Sequence, residues 1–314
     1  METHTLLILA REQDVYAEKL RALRLPELHI EVAGVPARVR EAIHEADILL
    51  AEPASAKQYL SEASRLKWLQ TTTIGIDALM DGAVRRDYIL TNARGILGPK
   101  LAEYTFAHIL AYKKRVFENR ELQHQKKWES KPTTSLVGQT IVLLGTGSIG
   151  AHIAKVAKAF GMRTCGYRTK KEPVEFFDEI FGLHELSEAL SKGDYVVSAL
   201  PSTKDTNEII RRETISHMKD GVVFINIGRG NAVAENDLLE AVKSGKIARA
   251  ILDVFHEEPL PHDHPLWTAE NVVVTPHMAG YAGLEGIVDL FAENYRRFAR
   301  GENLLYTVDF EKGY

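Results

Sequence analysis

One cysteine, Cys165, stands among the 314 residues. That excludes an internal disulfide, leaves no cysteine cluster for a structural zinc, and leads us to expect a reducing compartment. Long apolar runs are missing as well. The opening METHTLLILA holds only the five-residue run Leu6 to Ala10, with no basic stretch before it, so neither a secretory signal nor a membrane span is predicted. Charge of one sign is also scarce: 39 Lys and Arg face 43 Asp and Glu, a net charge of −4. No basic block reaches the length a nucleic-acid surface needs. Internal repeats and low-complexity tracts are absent. What is present, 45% hydrophobic and 26% charged residues, is the composition of a globular cytoplasmic protein long enough for two domains.

In the first hundred residues, short apolar segments (TLLILA, HIEVA, ADILLA, LKWLQTT and YILTN) read as strands. Helices are predicted around Val15 to Leu23 and Lys57 to Ala63, a rhythm that argues for parallel βαβ units. Longer helical patterns follow around Lys100 to Arg115 and Val116 to Gln125. The polar KKWESKPTTS then reads as a linker into a second domain. Beyond it, IVLL is continuous and apolar, as a central strand covered on both faces should be. RTCGY, DYVVSALP, VVFINI, RAILDVF and NVVVTPH read as further strands of a doubly wound sheet. An amphipathic stripe through Leu284, Ile287, Val288, Phe291, Tyr295 and Phe298 predicts a helix that returns the chain to the first domain.

Between the strand IVLL and its helix lies GTGSIG, residues 145 to 150. Gly145 permits the tight turn, Gly147 a close approach of backbone to a pyrophosphate, and Gly150 tight helix–strand packing. Ser148 and Ile149 complete the turn, where an anion meets free N–H groups at a helix N-terminus. A dinucleotide site commonly places a carboxylate about 20 residues beyond the glycines, to accept from a ribose 2′-hydroxyl. Here CGYRTKK puts Arg168 at that place, followed by Thr169, Lys170 and Lys171. A guanidinium offers paired, charge-assisted donors to a 2′-phosphate, so NADP(H) is expected to be preferred, with NAD(H) still possible.

FINIGRGNAV (224 to 233), LDVFHEEPLP (252 to 261) and VVVTPHMAG (272 to 280) each end a predicted strand. In an open parallel sheet those ends form the ligand crevice. Taken in order with GTGSIG, and with TIGID (73 to 77) and TNARGILGPKLAEYT (91 to 105), they give the chain a resemblance to the D-isomer-specific 2-hydroxyacid dehydrogenases along nearly its whole length.

The resemblance implies an α/β architecture of two doubly wound parallel-sheet domains with a cleft between them. A flavodoxin-like substrate domain would be built from 1–100 and 285–314, and a Rossmann cofactor domain from 101–284. It implies hydride transfer between NADPH or NADH and a small 2-oxo or 2-hydroxy acid. Arg229 would hold the substrate carboxylate and polarise its 2-oxo group, a role its forked donors suit. His277 would be the acid–base, and Glu258 its partner carboxylate. Glu257 competes on spacing, but Pro259 makes Glu258 the match to the family's Glu-Pro. Asp253 matches a position near the nicotinamide carboxamide, with a turn cap as the alternative. Ile74 and Gly75 match a loop that meets the substrate carboxylate, and Leu200, Pro201, Thr206 and Ile227 match the cofactor-lining edge.

The resemblance further implies a homodimer and closure about hinges near residues 100 and 285. The same family also contains nucleotide-sensing corepressors, which are the alternative function. Two positions depart from the usual pattern: Arg168 stands where many members have Asp, and Tyr281, after HMAG, is expected to trim the pocket. Arg94 is expected to face solvent, with contact to a second acidic group on the substrate as the alternative.

Overall fold

The computed structural model describes residues 3–82, 84–280 and 283–313. Tyr281 lies outside the described residues. In chain order the elements begin with β1 (His4–Leu9), α1 (Gln13–Ala22), β2 (Leu28–Val32), α2 (Pro36–Ala42), β3 (Ile48–Ala51), α3 (Pro53–Lys57), β4 (Trp68–Thr71) and β5 (Ile89–Thr91). Next come α4 (Gly98–Lys113), α5 (Val116–His124), β6 (Thr140–Leu144), α6 (Ser148–Ala159), β7 (Arg163–Tyr167), β8 (Glu179–Phe181), α7 (Leu186–Lys192) and β9 (Tyr195–Ser198). The chain finishes with α8 (Arg212–Ser216), β10 (Val222–Asn226), α9 (Glu235–Lys243), β11 (Ile247–Leu252), β12 (Val272–Val274) and α10 (Leu284–Ala299). They form two compact units, one of Met1–Ile96 with Ala282–Tyr314 and one of Leu97–Tyr281.

The first unit holds a five-stranded sheet in the order β2-β1-β3-β4-β5, paired in parallel throughout. That is the flavodoxin-like order. The returning helix α10 belongs to this unit. Its Phe291 stacks on Trp68 with ring centroids 4.9 Å apart, and Ile287, Val288 and Tyr295 join the same buried cluster.

In the second unit seven parallel strands run β12-β11-β10-β9-β6-β7-β8. From β6 the chain winds outward to β7 and β8, then crosses to β9 and continues the other way. The strand order therefore reverses between β6 and β9, the switch point at which an open sheet leaves a crevice beyond its strand ends. β6, β9 and β10 are buried along their length, in keeping with sequences that are apolar but for one terminal polar residue each. α6 ends at Gly161, which takes a φ of 70°. The Gly161 N–H donates to Lys158 and the Met162 N–H to Ala157, the paired bonds that close a helix on a left-handed residue.

Three details differ from the sequence reading. The helix expected over 57–63 instead occupies 53–57, because Pro53 sets the first helical turn and the chain beyond Lys57 tightens into i→i+3 turns at Tyr59, Glu62 and Ala63. KKWESKPTTS is exposed and without regular structure, yet α4 and α5 before it belong to the second unit. It is an excursion of that unit and joins no two domains. Arg94 is half-buried, in a loop where the Asn92 side chain accepts from the Arg94 N–H and donates to the Ile74 carbonyl.

Candidate active site

At the C-terminal end of β6 the Gly145 backbone has φ 99°, and its N–H donates to the Tyr167 carbonyl at the end of β7. This bond sets the glycine loop beside Arg168. A Cβ on Gly145 would stand 2.9 Å from the Ala199 carbonyl oxygen, and one on Gly150 would overlap the Gly145 carbonyl. Nothing lies within 4 Å of where a Cβ on Gly147 would be. Packing therefore excludes side chains at the first and third glycines, while the second faces open space. No side chain caps the N-terminus of α6, so its first N–H groups are left for another acceptor. These are the properties a pyrophosphate cradle needs, and the loop fits a dinucleotide.

Arg168 is partly buried, and its N–H donates to the Phe181 carbonyl. Thr169 and Lys170 are exposed beside it, and among the described residues the side chains of Arg168 and Lys170 make no ion pair. Lys171 is engaged elsewhere. Its ammonium sits 2.6 Å from Glu185, whose other oxygen accepts from the Gly182 N–H. The second cation available near Arg168 is thus Lys170.

The next strand ends continue the row. Leu200 and Ile227 are buried, and the Ile227 N–H donates to the Ser198 carbonyl across β9 and β10. Pro201 is held by Thr206, whose hydroxyl donates to its carbonyl at 2.7 Å. A Cβ on Gly228 would stand 2.7 Å from the Leu200 backbone, and one on Gly230 would overlap the Phe255 carbonyl. The glycines flanking Arg229 therefore press its turn against the loops after β9 and β11. Asn226, buried at the end of β10, clamps that turn: its side chain accepts from the Gly228 N–H and donates to the Arg229 carbonyl.

Glu258 and His277 meet. His277 Nδ1 lies 2.7 Å from Glu258 Oε2, while Glu258 Oε1 accepts from the Phe255 N–H at 2.9 Å. The carboxylate is fixed at both oxygens, and the imidazole keeps Nε2 for another partner. With 52% of the His277 side chain and 35% of Glu258 exposed, such a pair contributes at most about 1 kcal/mol to stability. Its use is orientation. Glu257 is exposed.

His277 has φ 50°, a left-handed conformation that costs a non-glycine residue about 1–3 kcal/mol. Asp253 supplies the compensation. The His277 N–H donates to the Asp253 carbonyl at 2.9 Å, and the Met278 and Ala279 N–H groups donate to the two oxygens of its buried carboxylate, each at 2.9 Å. Hydrogen bonds to a charged acceptor are worth about 1.5–3 kcal/mol each, enough to hold the strained turn. Thr275 adds its hydroxyl to Asp253 Oδ1 at 2.6 Å, and Tyr104 of α4 lies 2.7 Å from the same hydroxyl. The Asp253 carboxylate thus acts as the cap of the His277 turn.

Ile74 and Gly75 belong to the other unit, in the loop after β4, where Asn92 and Thr73 hold their carbonyls. Asn226, Thr275 and Tyr104 were not singled out from the sequence. Asn226 had a visible signal, a lone polar residue ending the apolar VVFIN. The other two had none, since a threonine and a helical tyrosine read as ordinary filler.

Residues 106–279 match the family model for the D-isomer specific 2-hydroxyacid dehydrogenase NAD binding domain. The glyoxylate reductase of Pyrococcus horikoshii is 35% identical over 260 residues, which cover 78% of this chain and 77% of that protein. A D-isomer specific 2-hydroxyacid dehydrogenase family protein from Aeromonas salmonicida superimposes with a TM-score of 0.92 at 42% identity, covering 98% of this chain and all of its own. The NADPH-dependent glyoxylate/hydroxypyruvate reductase of Sinorhizobium meliloti, solved with NADP and sulfate, gives a TM-score of 0.90 at 25% identity. It covers 99% of this chain and 100% of that one.

Proposed function

This chain belongs to the D-isomer specific 2-hydroxyacid dehydrogenase family and is an NAD(P)-dependent oxidoreductase, and we propose that it reduces a small 2-oxo acid to the D-2-hydroxy acid, preferring NADP(H) to NAD(H). The observation that carries this reading is the fixed His277–Glu258 pair, beside an Arg229 turn packed on the very loop that bears Glu258.

Each of the chain's own groups then has a task. Arg229, with the backbone of Ile74 and Gly75, holds the substrate carboxylate, and its guanidinium polarises the 2-oxo group. His277 delivers a proton from Nε2 to the carbonyl oxygen, while Glu258 fixes the ring through Nδ1. The bound nicotinamide supplies the hydride. Gly145, Gly147, Ser148, Ile149 and Gly150 cradle the pyrophosphate, and Arg168, Thr169 and Lys170 receive the 2′-phosphate. Leu200, Pro201, Thr206 and Ile227 line the cofactor, with Asp253 near the carboxamide. The unit of the glycine loop is the cofactor domain, and the other is the substrate domain. The Sinorhizobium relative, described as NADPH-dependent, supports the cofactor preference.

Glyoxylate and hydroxypyruvate are the substrates we favour, from the names of the relatives. Those relatives are reductases and dehydrogenases, and nothing in the site favours a nucleotide-sensing corepressor. A cytoplasmic setting is part of the proposal. Cys165 is a buried free thiol, and no helix among the described residues is long and apolar enough to cross a membrane. A homodimer is part of the proposal, and exposed apolar side chains on this segment fit it: α5 buries none of its residues, and Val116, Phe117 and, beyond the helix, Trp128 are exposed.

The test is a panel of 2-oxo acids, including glyoxylate, hydroxypyruvate and pyruvate, assayed with NADPH and NADH side by side. Turnover with NADPH at least about tenfold more efficient than with NADH supports the reading. No turnover of any 2-oxo acid with either cofactor contradicts it.

A further inference from the structure

The turn bearing His277 is tied to α4 by a run of hydroxyls. A carboxylate can only accept, so the Thr275 hydroxyl donates to Asp253 Oδ1. Its proton is then committed, and the 2.7 Å contact with Tyr104 is a bond that the phenol donates. Burial pushes the Tyr104 phenol up to about 12, so it remains a proton-bearing donor through the neutral range. His108, one helical turn on, packs against the Tyr104 ring with centroids 4.5 Å apart and restricts its swing.

We propose that Tyr104 and Thr275 are positioning residues for proton transfer, fixing the Asp253 carboxylate and, through it, the left-handed turn that sets the His277 ring against Glu258. Asp253 is the common anchor of this turn, through its carbonyl and both carboxylate oxygens. With the Thr275 hydroxyl removed, Asp253 Oδ1 loses one of its two donors, and Tyr104 loses its only acceptor among the described residues. The carboxylate is then free to turn, and the N–H groups of Met278 and Ala279 move with it. A proton donor displaced by a fraction of an ångström loses rate, whereas contacts made by other residues keep substrate affinity. The inference rests on the reading of His277 as proton donor.

The experiment compares steady-state reduction of glyoxylate with NADPH by Thr275→Val, Thr275→Ser and Tyr104→Phe, and by Thr275→Val in a His277→Asn background. Thr275→Val is expected to lower kcat about 10- to 100-fold, with both KM values within about twofold. Thr275→Ser, which keeps the hydroxyl, is expected to restore kcat to within about threefold of the parent, and Tyr104→Phe to lower it about 3- to 10-fold. Once His277 is gone, Thr275→Val should cost less than about twofold more, since the group it positions is absent.

The inference is overturned by a Thr275→Val kcat within twofold of the parent, by the same fold loss in both backgrounds, or by a raised NADPH KM at unchanged kcat. Should Thr275→Val not fold, Tyr104→Phe carries the same two-background comparison. A His277→Asn variant with parental kcat sinks the proton-donor reading itself, whatever Thr275 does, so the two failures are told apart.

Discussion

His277 and Glu258 are nineteen residues apart in the chain and 2.7 Å apart in space, joined through Nδ1 and one carboxylate oxygen. The second oxygen of Glu258 is held by the Phe255 N–H, so the carboxylate cannot follow the ring if the ring moves. Replacing Glu258 by Gln keeps the shape but leaves one oxygen to serve both the His277 ring and the Phe255 N–H. Reductive kcat/KM with glyoxylate should fall about 10- to 100-fold, with the melting temperature within a few degrees of the parent. A kcat/KM within about twofold of the parent would take Glu258 out of the pair.

Arg229 is tested by Arg229→Lys. A lysine keeps the charge but not the planar fork, and the turn around it stays clamped by Asn226. We expect kcat/KM to drop at least about 100-fold with the melting temperature within a few degrees of the parent. Retention of parental kcat/KM would mean that another cation holds the substrate carboxylate.

Arg168→Asp addresses the cofactor. The glycine loop is bonded to Tyr167, immediately before Arg168, so the substituted carboxylate would stand where a 2′-phosphate is expected. The ratio of NADPH to NADH efficiency should fall at least about tenfold. A ratio that does not change would show that the discrimination lies elsewhere.

His108 gives a pH dependence of stability. Burial first, then Arg249, holds its imidazole below the ordinary value of 6.5, with Asp253 opposing. Below that value the unfolded chain takes up a proton that the folded chain resists, so this contribution is full above pH 6.5 and is lost as pH falls toward the depressed folded value. The melting temperature should decline as pH falls below about 6.5, and His108→Gln should flatten that decline. An identical slope in both proteins would exclude His108 as a source.

The parts of the site legible in the sequence were those where one short motif carries both the residue and its support. GTGSIG, GRG, the Glu-Pro and TPH each follow an apolar strand, and a parallel sheet brings strand ends to one edge regardless of their separation in sequence. Asp253 was ambiguous for the opposite reason, since its cap role depends on N–H groups from another strand's loop, visible only once β11 and β12 lie side by side. Tyr104 and Thr275, 171 residues apart, gave no signal, because neither residue type is unusual on a helix or after a strand. Among the folding elements, β8 gives no signal because Glu179-Ile180-Phe181 is too short an apolar pair to make a run, unlike the equally short β5 and β12, and the helix at 53–57 differs from the sequence reading because its start is set by a proline ahead of the apolar pattern.

The central claim is that His277 protonates a 2-oxo acid while NADPH is oxidised. It is tested most directly by following NADPH absorbance with glyoxylate for the parent protein and His277→Asn under identical conditions. The account predicts steady oxidation by the parent and a kcat at least about 100-fold lower for the variant. Equal rates in the two proteins, or no oxidation by the parent with any 2-oxo acid, would contradict it.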